Sequence, residues 1–257
     1  MKLVILAGGY GTRISEESVL KPKPLIEIGS KPIIWHIMKY YSTFGVRDFI
    51  VCCGYKGHML KEYFINFSKN NSDIEIYTKN NELKFINKKF EDWKITLVDT
   101  GENTMTGGRI LKVKKYLKNE ILFCLTYGDG LSDVNINKLI KFHKKNKKIA
   151  TLTAVKQPGR FGHVDLQGSI VNSFREKIKK DNLWINGGFF VLNKEIFNYL
   201  KNSKTIFEKH SLQKISQKKQ LSAYKHDGFW YAMDSIREKN FLEELWKSNK
   251  APWKKWK

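Results

Sequence analysis

The order of hydrophobic and polar residues predicts alternating strands and helices in the first half of the chain. Short, continuous apolar runs are typical of strands that a parallel sheet buries on both faces. Such runs predict strands over Lys2–Leu6, Asp48–Cys53, Ile74–Tyr77, Ile95–Val98 and Ile121–Tyr127. Apolar residues at helical spacing predict helices over Pro32–Gly45, Lys56–Phe64, Arg109–Leu117 and Ile136–Lys145. This alternation predicts right-handed βαβ units and a mostly parallel sheet.

The second half of the chain is richer in predicted strands, which indicates an antiparallel addition to the same domain. Its predicted strands are Ala150–Val155, Val164–Leu166, Ile170–Phe174 and Phe189–Leu192, and its predicted helices are Ile206–Ser216 and Ile236–Ser248. The sequence contains no internal repeat, linker or low-complexity segment. It therefore predicts one α/β domain over residues 1–257, with a mostly parallel sheet flanked by helices and a smaller antiparallel addition.

Composition excludes several classes of protein. Of 257 residues, 41% are hydrophobic and 28% are charged, which is typical of globular proteins and excludes a disordered or fibrous chain. No apolar run approaches the length of a membrane span. The N-terminal apolar stretch is one strand long and runs into glycines, so we expect no signal peptide. Cys52, Cys53 and Cys124 form neither a disulfide framework nor a CxxC pair, which predicts a reducing compartment and a cytoplasmic location.

The net charge of +22 has two interpretations. It is typical of proteins that bind nucleic acid or acidic membranes. It is also compatible with a solvated lysine surface on a protein whose ligands are phosphorylated. The second interpretation is favoured because the lysines are spread over the whole length and no run of five or six like charges marks a binding arm.

A glycine-rich loop directly after the first predicted strand is the strongest candidate site. The loop reads Leu6-Ala7-Gly8-Gly9-Tyr10-Gly11-Thr12-Arg13. Glycines allow backbone N–H groups to approach phosphate oxygens, and the Arg13 guanidinium adds a cation. The loop is neither a Walker A motif nor GxGxxG, because Ile14 stands where the last glycine would be. A tight turn could require these glycines for structure alone, but the Thr12-Arg13 pair favours phosphate binding.

Lys21-Pro22-Lys23-Pro24 is a candidate second phosphate contact. Each lysine precedes a proline, which favours extended backbone at the lysine, and proline itself restricts φ. We therefore expect a stiff segment that presents a lysine. Alone, the segment is more typical of a basic surface turn, and its pairing with the glycine-rich loop favours a phosphate contact.

Two aspartates are candidate metal ligands. Asp129 lies in Gly128-Asp129-Gly130, directly after a strongly apolar strand, where a carboxylate can hold Mg²⁺ against phosphates. Asp234 precedes Ser235 and Glu238, which fit a capping box, so Asp234 is expected one residue outside the helix. Each aspartate also has a purely structural explanation, as a turn residue and as a favourable charge near a helix N-terminus.

Other chemistries lack a motif. The six histidines and three cysteines show no zinc-binding spacing, and no G-x-S-x-G nucleophile elbow is present. Tryptophans are more often core or interface residues than base-stacking platforms. We expect Trp253 and Trp256 to be able to pack on a neighbouring subunit.

The motifs together resemble those of the sugar nucleotidyltransferases. The general resemblance is carried by Ala7-Gly8-Gly9-x-Gly11-Thr12-Arg13, by 21–24 and by Lys31-Pro32-Ile33. A finer resemblance, to the branch that joins CTP to glucose 1-phosphate, covers nearly the whole chain. Its segments are 35–38, 52–57, 98–101, 105–109, 126–130, 158–162, 185–190 and 251–254. The resemblance implies a single Rossmann-like domain, CTP and glucose 1-phosphate as substrates, Mg²⁺ as cofactor, CDP-glucose as a precursor of dideoxy sugars in surface polysaccharides, and a homo-oligomer, with a hexamer as one candidate state.

The resemblance also implies roles for individual residues. Those that would hold CTP are Leu6, Ala7, Gly8, Gly9, Tyr10, Gly11, Thr12, Arg13, Lys23, Thr104, Arg109 and Gly128. Asp129 and Asp234 would bind Mg²⁺. Those that would face the sugar phosphate are Glu176, Lys177 and Asn186. The chain departs from the family in one place, since Ile178 stands where the family usually has a proline, which loosens the turn that aims Lys177.

The expected reaction needs charge neutralisation more than a general base. An oxygen of glucose 1-phosphate is already anionic when it attacks the α-phosphorus of CTP, so Arg13 and Lys23 are the expected catalytic residues. Alternatives are a uridylyl- or thymidylyltransferase, a non-catalytic sugar-nucleotide-binding subunit, and a nucleic-acid-binding protein. The presence of Asp129 and Asp234 together with both cations favours an enzyme over a binding subunit.

Overall fold

The protein is organised around one large central sheet. The computed structural model describes residues 1–86, 91–156, 163–167, 170–175 and 184–256. In chain order the strands are β1 (Lys2–Leu6), β2 (Glu27–Ile28), β3 (Lys31–Pro32), β4 (Asp48–Cys53), β5 (Asp73–Tyr77), β6 (Glu82–Ile86), β7 (Lys94–Asp99), β8 (Leu122–Tyr127), β9 (Gly130–Ser132), β10 (Ala150–Lys156), β11 (His163–Gln167), β12 (Ile170–Arg175), β13 (Trp184–Asn186), β14 (Phe190–Asn193), β15 (Leu221–His226) and β16 (Trp230–Ala232).

Helices cover both faces of this sheet. The α-helices are α1 (Ser15–Ser18), α2 (Ile33–Ser42), α3 (Gly57–Ile65), α4 (Phe67–Asn70), α5 (Thr106–Lys112), α6 (Ile136–Asn146), α7 (Gln213–Gln217) and α8 (Ile236–Lys247). Short 3₁₀ turns span Thr12–Ile14, Lys23–Leu25, Lys114–Leu117 and Lys194–Tyr199, and a π-helical turn spans Phe207–Leu212.

The predicted fold class is confirmed. The sheet runs in the order β7, β4, β1, β8, β14, β10, and β10 also pairs with β13 and β15. Strands β7, β4, β1 and β8 are mutually parallel neighbours. The antiparallel strand β14 lies between β8 and β10, so the antiparallel addition is built into the sheet. Four smaller sheets pair β2 with β3, β5 with β6, β9 with β16, and β11 with β12.

The apolar run of β1 explains its central position. Leu3, Val4 and Ile5 are each fully buried. Leu3 and Ile5 join the core under α2, α3, α6 and α8, whereas Val4 joins the core on the opposite face of the sheet. A strand whose successive side chains alternate between two buried faces must be apolar throughout.

The strand order creates a crevice next to β1. From β1 the chain builds β4 and β7 on one side, and then returns so that β8 pairs with the other side of β1. The loops that follow β1 and β8 therefore leave the sheet in different directions. At such a switch point, the carboxyl ends of parallel strands border a crevice where α/β proteins bind ligands.

The predicted helix Arg109–Leu117 differs from the structure at both ends. Helix α5 begins three residues earlier, at Thr106, and ends at Lys112. Gly107 and Gly108 have low helix propensity, which is why the pattern placed the start after them. Tertiary packing prevails, because a Cβ at Gly108 would lie 2.5 Å from the Ser203 carbonyl oxygen.

The C-terminal segment folds back onto its own chain. Trp253 is fully buried, stacks on Phe229 at 5.5 Å between ring centroids and donates from Nε1 to His36 Nδ1 over 3.4 Å. The expectation that Trp253 packs on a neighbouring subunit is therefore wrong, because its indole already fills the core of its own chain. In the described part of the chain, no helix is both long and apolar enough to cross a membrane.

Candidate functional site

A cavity of about 570 Å³ opens at the carboxyl ends of β1 and β8. The cavity is enclosed by the loops after β1, β7 and β8 and by two short segments, one at Lys23 and Pro24 and one at Asp234. Its lining residues are Leu6, Ala7, Gly8, Gly9, Tyr10, Gly11, Thr12, Lys23, Pro24, Glu102, Asn103, Thr104, Met105, Thr106, Arg109, Tyr127, Gly128, Asp129 and Asp234. Most residues predicted to hold a nucleotide thus border one cavity.

The glycine-rich loop is attached to the neighbouring loop after β4. Ala7 N donates to the Cys52 carbonyl over 3.2 Å, and Tyr55 N donates to the Gly8 carbonyl over 3.1 Å. The loop then enters the 3₁₀ turn Thr12–Ile14. The side chain of Arg13 lies outside the described part of the structure, so its predicted phosphate contact stays a prediction.

Arg109 forms the floor beneath this loop. Its side chain is buried, with 4% of the residue exposed. Nη2 donates to the Gly8 carbonyl over 2.8 Å and to the Glu102 carbonyl over 3.0 Å. Nη1 donates to the Thr100 hydroxyl over 2.6 Å and to the Gly101 carbonyl over 2.8 Å. One guanidinium therefore holds the loops that follow β1 and β7 together.

The same contact explains one glycine of the loop. A Cβ at Gly8 would lie 2.2 Å from Arg109 Nη1, which is closer than real Cβ atoms approach. Burial lowers the pKa of the Arg109 guanidinium, yet arginine keeps its charge in proteins. The structure places Arg109 at the cavity wall, as expected, but both of its terminal nitrogens donate to protein acceptors.

Lys23 lies at the opposite side of the cavity. Its Nζ donates to Asp129 Oδ2 over 2.6 Å and to Asp234 Oδ1 over 2.7 Å, and 11% of its side chain is exposed. Burial alone would lower the pKa of the Lys23 ammonium, but the two carboxylates outweigh burial and leave that pKa raised. The ammonium therefore stays charged between them.

The backbone at Lys23 differs from the prediction. Lys23 opens the 3₁₀ turn Lys23–Leu25 instead of staying extended before Pro24. Two hydrogen bonds close the turn, from Leu25 N to the Pro22 carbonyl (2.8 Å) and from Ile26 N to the Lys23 carbonyl (3.0 Å). Burial of Pro24 and Leu25 holds this turn against the local preference of a residue before proline.

A short ladder brings Asp129 and Asp234 together. Strands β9 and β16 pair antiparallel, with Gly130 opposite Ala232, and Met233 N donates to the Asp129 carbonyl over 2.9 Å. Asp129 directly precedes β9 and Asp234 lies two residues after the end of β16, so both aspartates lie at the same end of this ladder. The three-residue strands are too short to give a periodic signal in the sequence, so the pairing could not be predicted from hydrophobic pattern.

The predicted cap of α8 is confirmed. Ser235 Oγ accepts from Glu238 N over 3.4 Å, and Glu238 Oε2 accepts from Asp234 N over 2.6 Å. Asp234 lies one residue outside the cap, as expected. The bond between Asp234 N and the Glu238 carboxylate is made by the residue before the N-cap. It therefore fixes the backbone of the candidate metal ligand Asp234.

The convergence of two carboxylates fits a divalent cation. Two oxygens that contact one nitrogen atom point at a common position, and carboxylate oxygens are the ligands that Mg²⁺ prefers. Within the described ranges, no group of three or more His, Cys, Asp or Glu side chains could form a complete protein cage. A metal held here would need further oxygens, such as those of a bound phosphate.

The residues predicted on the sugar-phosphate side are only partly described. Glu176 and Lys177 lie outside the described residues. Asn186 Nδ2 lies 3.3 Å from the Tyr127 hydroxyl, and Asn186 Oδ1 accepts from Gly188 N over 3.0 Å. Asn186 therefore contacts Tyr127, which lines the cavity.

Sequence reasoning missed several residues at the cavity. Glu102, Asn103, Met105, Thr106 and Tyr127 line it. Glu208 lies behind the wall, where its carboxylate accepts from Tyr127 and Thr106. Sequence separations of 81 and 102 residues gave no spacing signal for Glu208.

Comparisons with known proteins identify the family. The model of the family described as Nucleotidyl transferase matches residues 2–240. Glucose-1-phosphate cytidylyltransferase of Salmonella typhi is 52% identical over 256 residues, which cover 100% of both chains. Probable glucose-1-phosphate cytidylyltransferase of Bacillus subtilis is 41% identical over 257 residues, again 100% of both chains. The solved structure of HddC from Yersinia pseudotuberculosis complexed with GMP-PN has a TM-score of 0.70 at 24% identity, covering 95% of this chain and 99% of that one, which is a likeness of fold.

Proposed function

We infer that this chain, which belongs to the nucleotidyl transferase family, transfers the cytidylyl group of CTP to glucose 1-phosphate and releases pyrophosphate. The family resemblance carried by the sequence motifs is thereby confirmed. The observation that carries the activity is the meeting of Lys23, Asp129 and Asp234 in the cavity beside the glycine-rich loop. A site that only stored a sugar nucleotide would have little use for this arrangement of charges.

The reaction is a displacement at phosphorus. An oxygen of glucose 1-phosphate forms a bond to the α-phosphorus of CTP, and the bond from that phosphorus to the pyrophosphate oxygen breaks. Because the attacking oxygen is already anionic, no side chain has to remove a proton from it. The protein's task is to align the two substrates and to stabilise negative charge on the departing pyrophosphate.

Lys23 is suited to that second task. Its ammonium is charged, partly buried and borders the same cavity as the glycine-rich loop. In the free protein it pairs with both Asp129 and Asp234. When a triphosphate enters, its oxygens supply new acceptors for the same ammonium, and a cationic donor to phosphate oxygens is stronger than a neutral one. Arg13, on the same loop as the glycines, would add a second cation.

Asp129 and Asp234 would hold Mg²⁺. When bound, the ion neutralises phosphate charge and polarises phosphate oxygens. The backbone of each aspartate is fixed, because Asp234 N donates to Glu238 Oε2 and the Asp129 carbonyl accepts from Met233 N. Their oxygens would therefore stay convergent when Lys23 moves away from them.

Pyrophosphate release tests the proposed function directly. Purified protein is mixed with glucose 1-phosphate, Mg²⁺ and each of CTP, UTP, dTTP, ATP and GTP. We expect CTP to give the highest kcat/KM, with UTP weaker, because the two bases differ in the exchange of a donor for an acceptor at one edge. Equal or better turnover with dTTP would contradict the proposal. Binding of CTP without any release would favour a non-catalytic sugar-nucleotide-binding subunit.

We propose a cytoplasmic location and a homo-oligomeric state as further properties. Three free, buried thiols, Cys52, Cys53 and Cys124, support a reducing compartment. Sedimentation of the purified chain would test the oligomeric state, and a monomer at micromolar concentration would overturn it. A role for CDP-glucose in making dideoxy sugars stays a proposal that follows from the resemblance.

A further inference from the structure

Glu208 lies directly behind the cavity wall, on the π-helical turn Phe207–Leu212. Its Oε1 accepts a hydrogen bond from the Tyr127 hydroxyl over 2.6 Å. Its Oε2 accepts one from the Thr106 hydroxyl over 2.7 Å. Tyr127 and Thr106 both line the cavity, so one carboxylate controls two hydroxyl groups that the substrates can meet.

These contacts leave the two hydroxyl oxygens as acceptors. A hydroxyl has a single hydrogen, and in both residues Glu208 takes it. Thr106 Oγ1 in addition accepts from Phe207 N over 2.9 Å, and the Tyr127 oxygen lies 3.3 Å from Asn186 Nδ2. Burial first, and then the Glu208 carboxylate, raises the pKa of Tyr127, so its hydroxyl keeps its proton.

The segment that carries Glu208 is firmly attached to the segment that carries Thr106. Met105 N donates to the Ser203 carbonyl over 2.9 Å, and Gly108 N donates to the Thr205 carbonyl over 3.2 Å. Gly108 leaves no room for a Cβ against Ser203. π-Helical turns are rare in proteins overall, and those that occur are often at functional sites. Together with these backbone bonds, the turn indicates that the position of the Glu208 carboxylate matters for function.

We propose that Glu208 is a positioning residue that turns the hydroxyl hydrogens of Tyr127 and Thr106 away from the cavity and thereby makes this wall accept hydrogen bonds only. The inference rests on the proposed function. Such a wall binds substrate groups that donate, and it repels phosphate oxygens and carbonyl oxygens. Two groups of the proposed substrates are able to donate to such a wall: the hydroxyls of the sugar and the exocyclic amino group of cytosine.

The test replaces Glu208 by glutamine, which keeps the shape but offers one acceptor and one donor. One of the two hydroxyls must then accept from the amide and turn its hydrogen into the cavity. We expect Glu208→Gln to raise the KM or Kd of one substrate by about three- to tenfold, as one hydrogen bond is worth, with a smaller change in kcat. Glu62→Gln, a change at an exposed glutamate of α3, is the matched control and should leave both substrates unaffected.

Two further variants separate the two possible donors. If a sugar hydroxyl is recognised, Tyr127→Phe should raise the KM for glucose 1-phosphate, and Glu208→Gln should add little in that background. If the cytosine amino group is recognised, Thr106→Val should lower the ratio of kcat/KM for CTP to that for UTP, and Glu208→Gln should lower it similarly. The two single changes at the wall preserve side-chain shape, so they remain informative even if Glu208→Gln folds poorly.

Unchanged Kd values and an unchanged CTP-to-UTP ratio in all three variants would overturn the inference. So would a Glu208→Gln variant that loses only thermal stability, with effects that add to those of Tyr127→Phe. Substrate binding is measured by calorimetry alongside turnover. Wild-type protein that releases no pyrophosphate from CTP would refute the proposed function, whereas the binding data on the variants would still decide the role of Glu208.

Discussion

The Lys23 ammonium donates to the Asp129 carboxylate over 2.6 Å, across 106 residues of sequence. Because Asp234 accepts from the same nitrogen, one ammonium in the free protein pairs with both candidate metal ligands and balances one of their two negative charges. A cation that binds these carboxylates would compete with Lys23 for them. Binding of the metal and the ion pairs of Lys23 are therefore coupled, so we expect removal of Lys23 to change how strongly the metal affects the protein.

Replacement of Lys23 by alanine should slow the reaction and also weaken the fold. Turnover should fall by roughly ten- to a thousandfold, the usual value of one charge-stabilising donor. Without the ammonium, two partly buried carboxylates face each other, so we expect a loss of about 1–2 kcal/mol, or a Tm lower by about 2–8 °C. Addition of Mg²⁺ should restore part of this loss, as scanning calorimetry would show. A Tm that does not respond to Mg²⁺ would contradict the coupling.

Asparagine at either aspartate should nearly abolish turnover while the protein stays folded. Asp129→Asn and Asp234→Asn each remove one negative oxygen from the same position, so the double variant should be scarcely slower than each single one. Steady-state rates at several Mg²⁺ concentrations provide the measurement. Asp92→Asn, a change at an exposed carboxylate that pairs with Arg47, is the control. Additive effects of the two site substitutions would show that the two carboxylates act independently.

Much of the fold could be predicted because its central strands are buried on both faces. In a run such as Leu3–Ile5 every side chain is buried. The run is therefore continuously apolar, and this pattern identifies the strand in the sequence. The position of the glycine-rich loop at the carboxyl edge of the sheet could also be predicted, because the loop directly follows the buried strand β1. The start of α5 was wrong because packing of Gly108 against Ser203 overrides its weak helix propensity.

The candidate site was only partly predictable for a different reason. Asp129 and Asp234 meet through the three-residue strands β9 and β16, which are too short to show a period. Arg109 reaches the carbonyls of Gly8 and Glu102, and backbone carbonyls have no residue-type signature. Contacts of that kind become visible only when the loops have been placed in three dimensions.

Replacement of Arg109 by lysine should destabilise the protein and weaken nucleotide binding together. Lysine cannot reproduce a planar fork that serves acceptors on the loops after β1 and β7. Buried carbonyls left without a donor cost about 1–3 kcal/mol each, so we expect a Tm lower by at least several degrees and a clearly raised KM for CTP. Arg47→Lys, at an exposed surface pair, should change neither quantity. A stable Arg109→Lys variant with weak CTP binding would instead indicate direct contact with the nucleotide.

Acid should destabilise the protein through His36. This ring is fully buried, donates from Nε2 to the Ile28 carbonyl over 2.8 Å and accepts from Trp253, and burial lowers its pKa from 6.5 to about 4. Below pH 6.5 the unfolded chain therefore takes up a proton that the folded protein does not. The contribution of His36 to the free energy of unfolding is intact above pH 6.5 and is lost as the pH falls towards 4, at about 1.4 kcal/mol per pH unit.

Burial lowers the pKa of His143 as well, so the comparison must be made against His36→Gln, whose amide keeps a donor and an acceptor but does not titrate. Urea unfolding of both proteins between pH 7.5 and 5 should give a wild-type curve that falls more steeply than that of the variant. Parallel curves would mean that the folded protein takes up a proton at His36 as readily as the unfolded chain does, so that Nδ1 does not accept from Trp253.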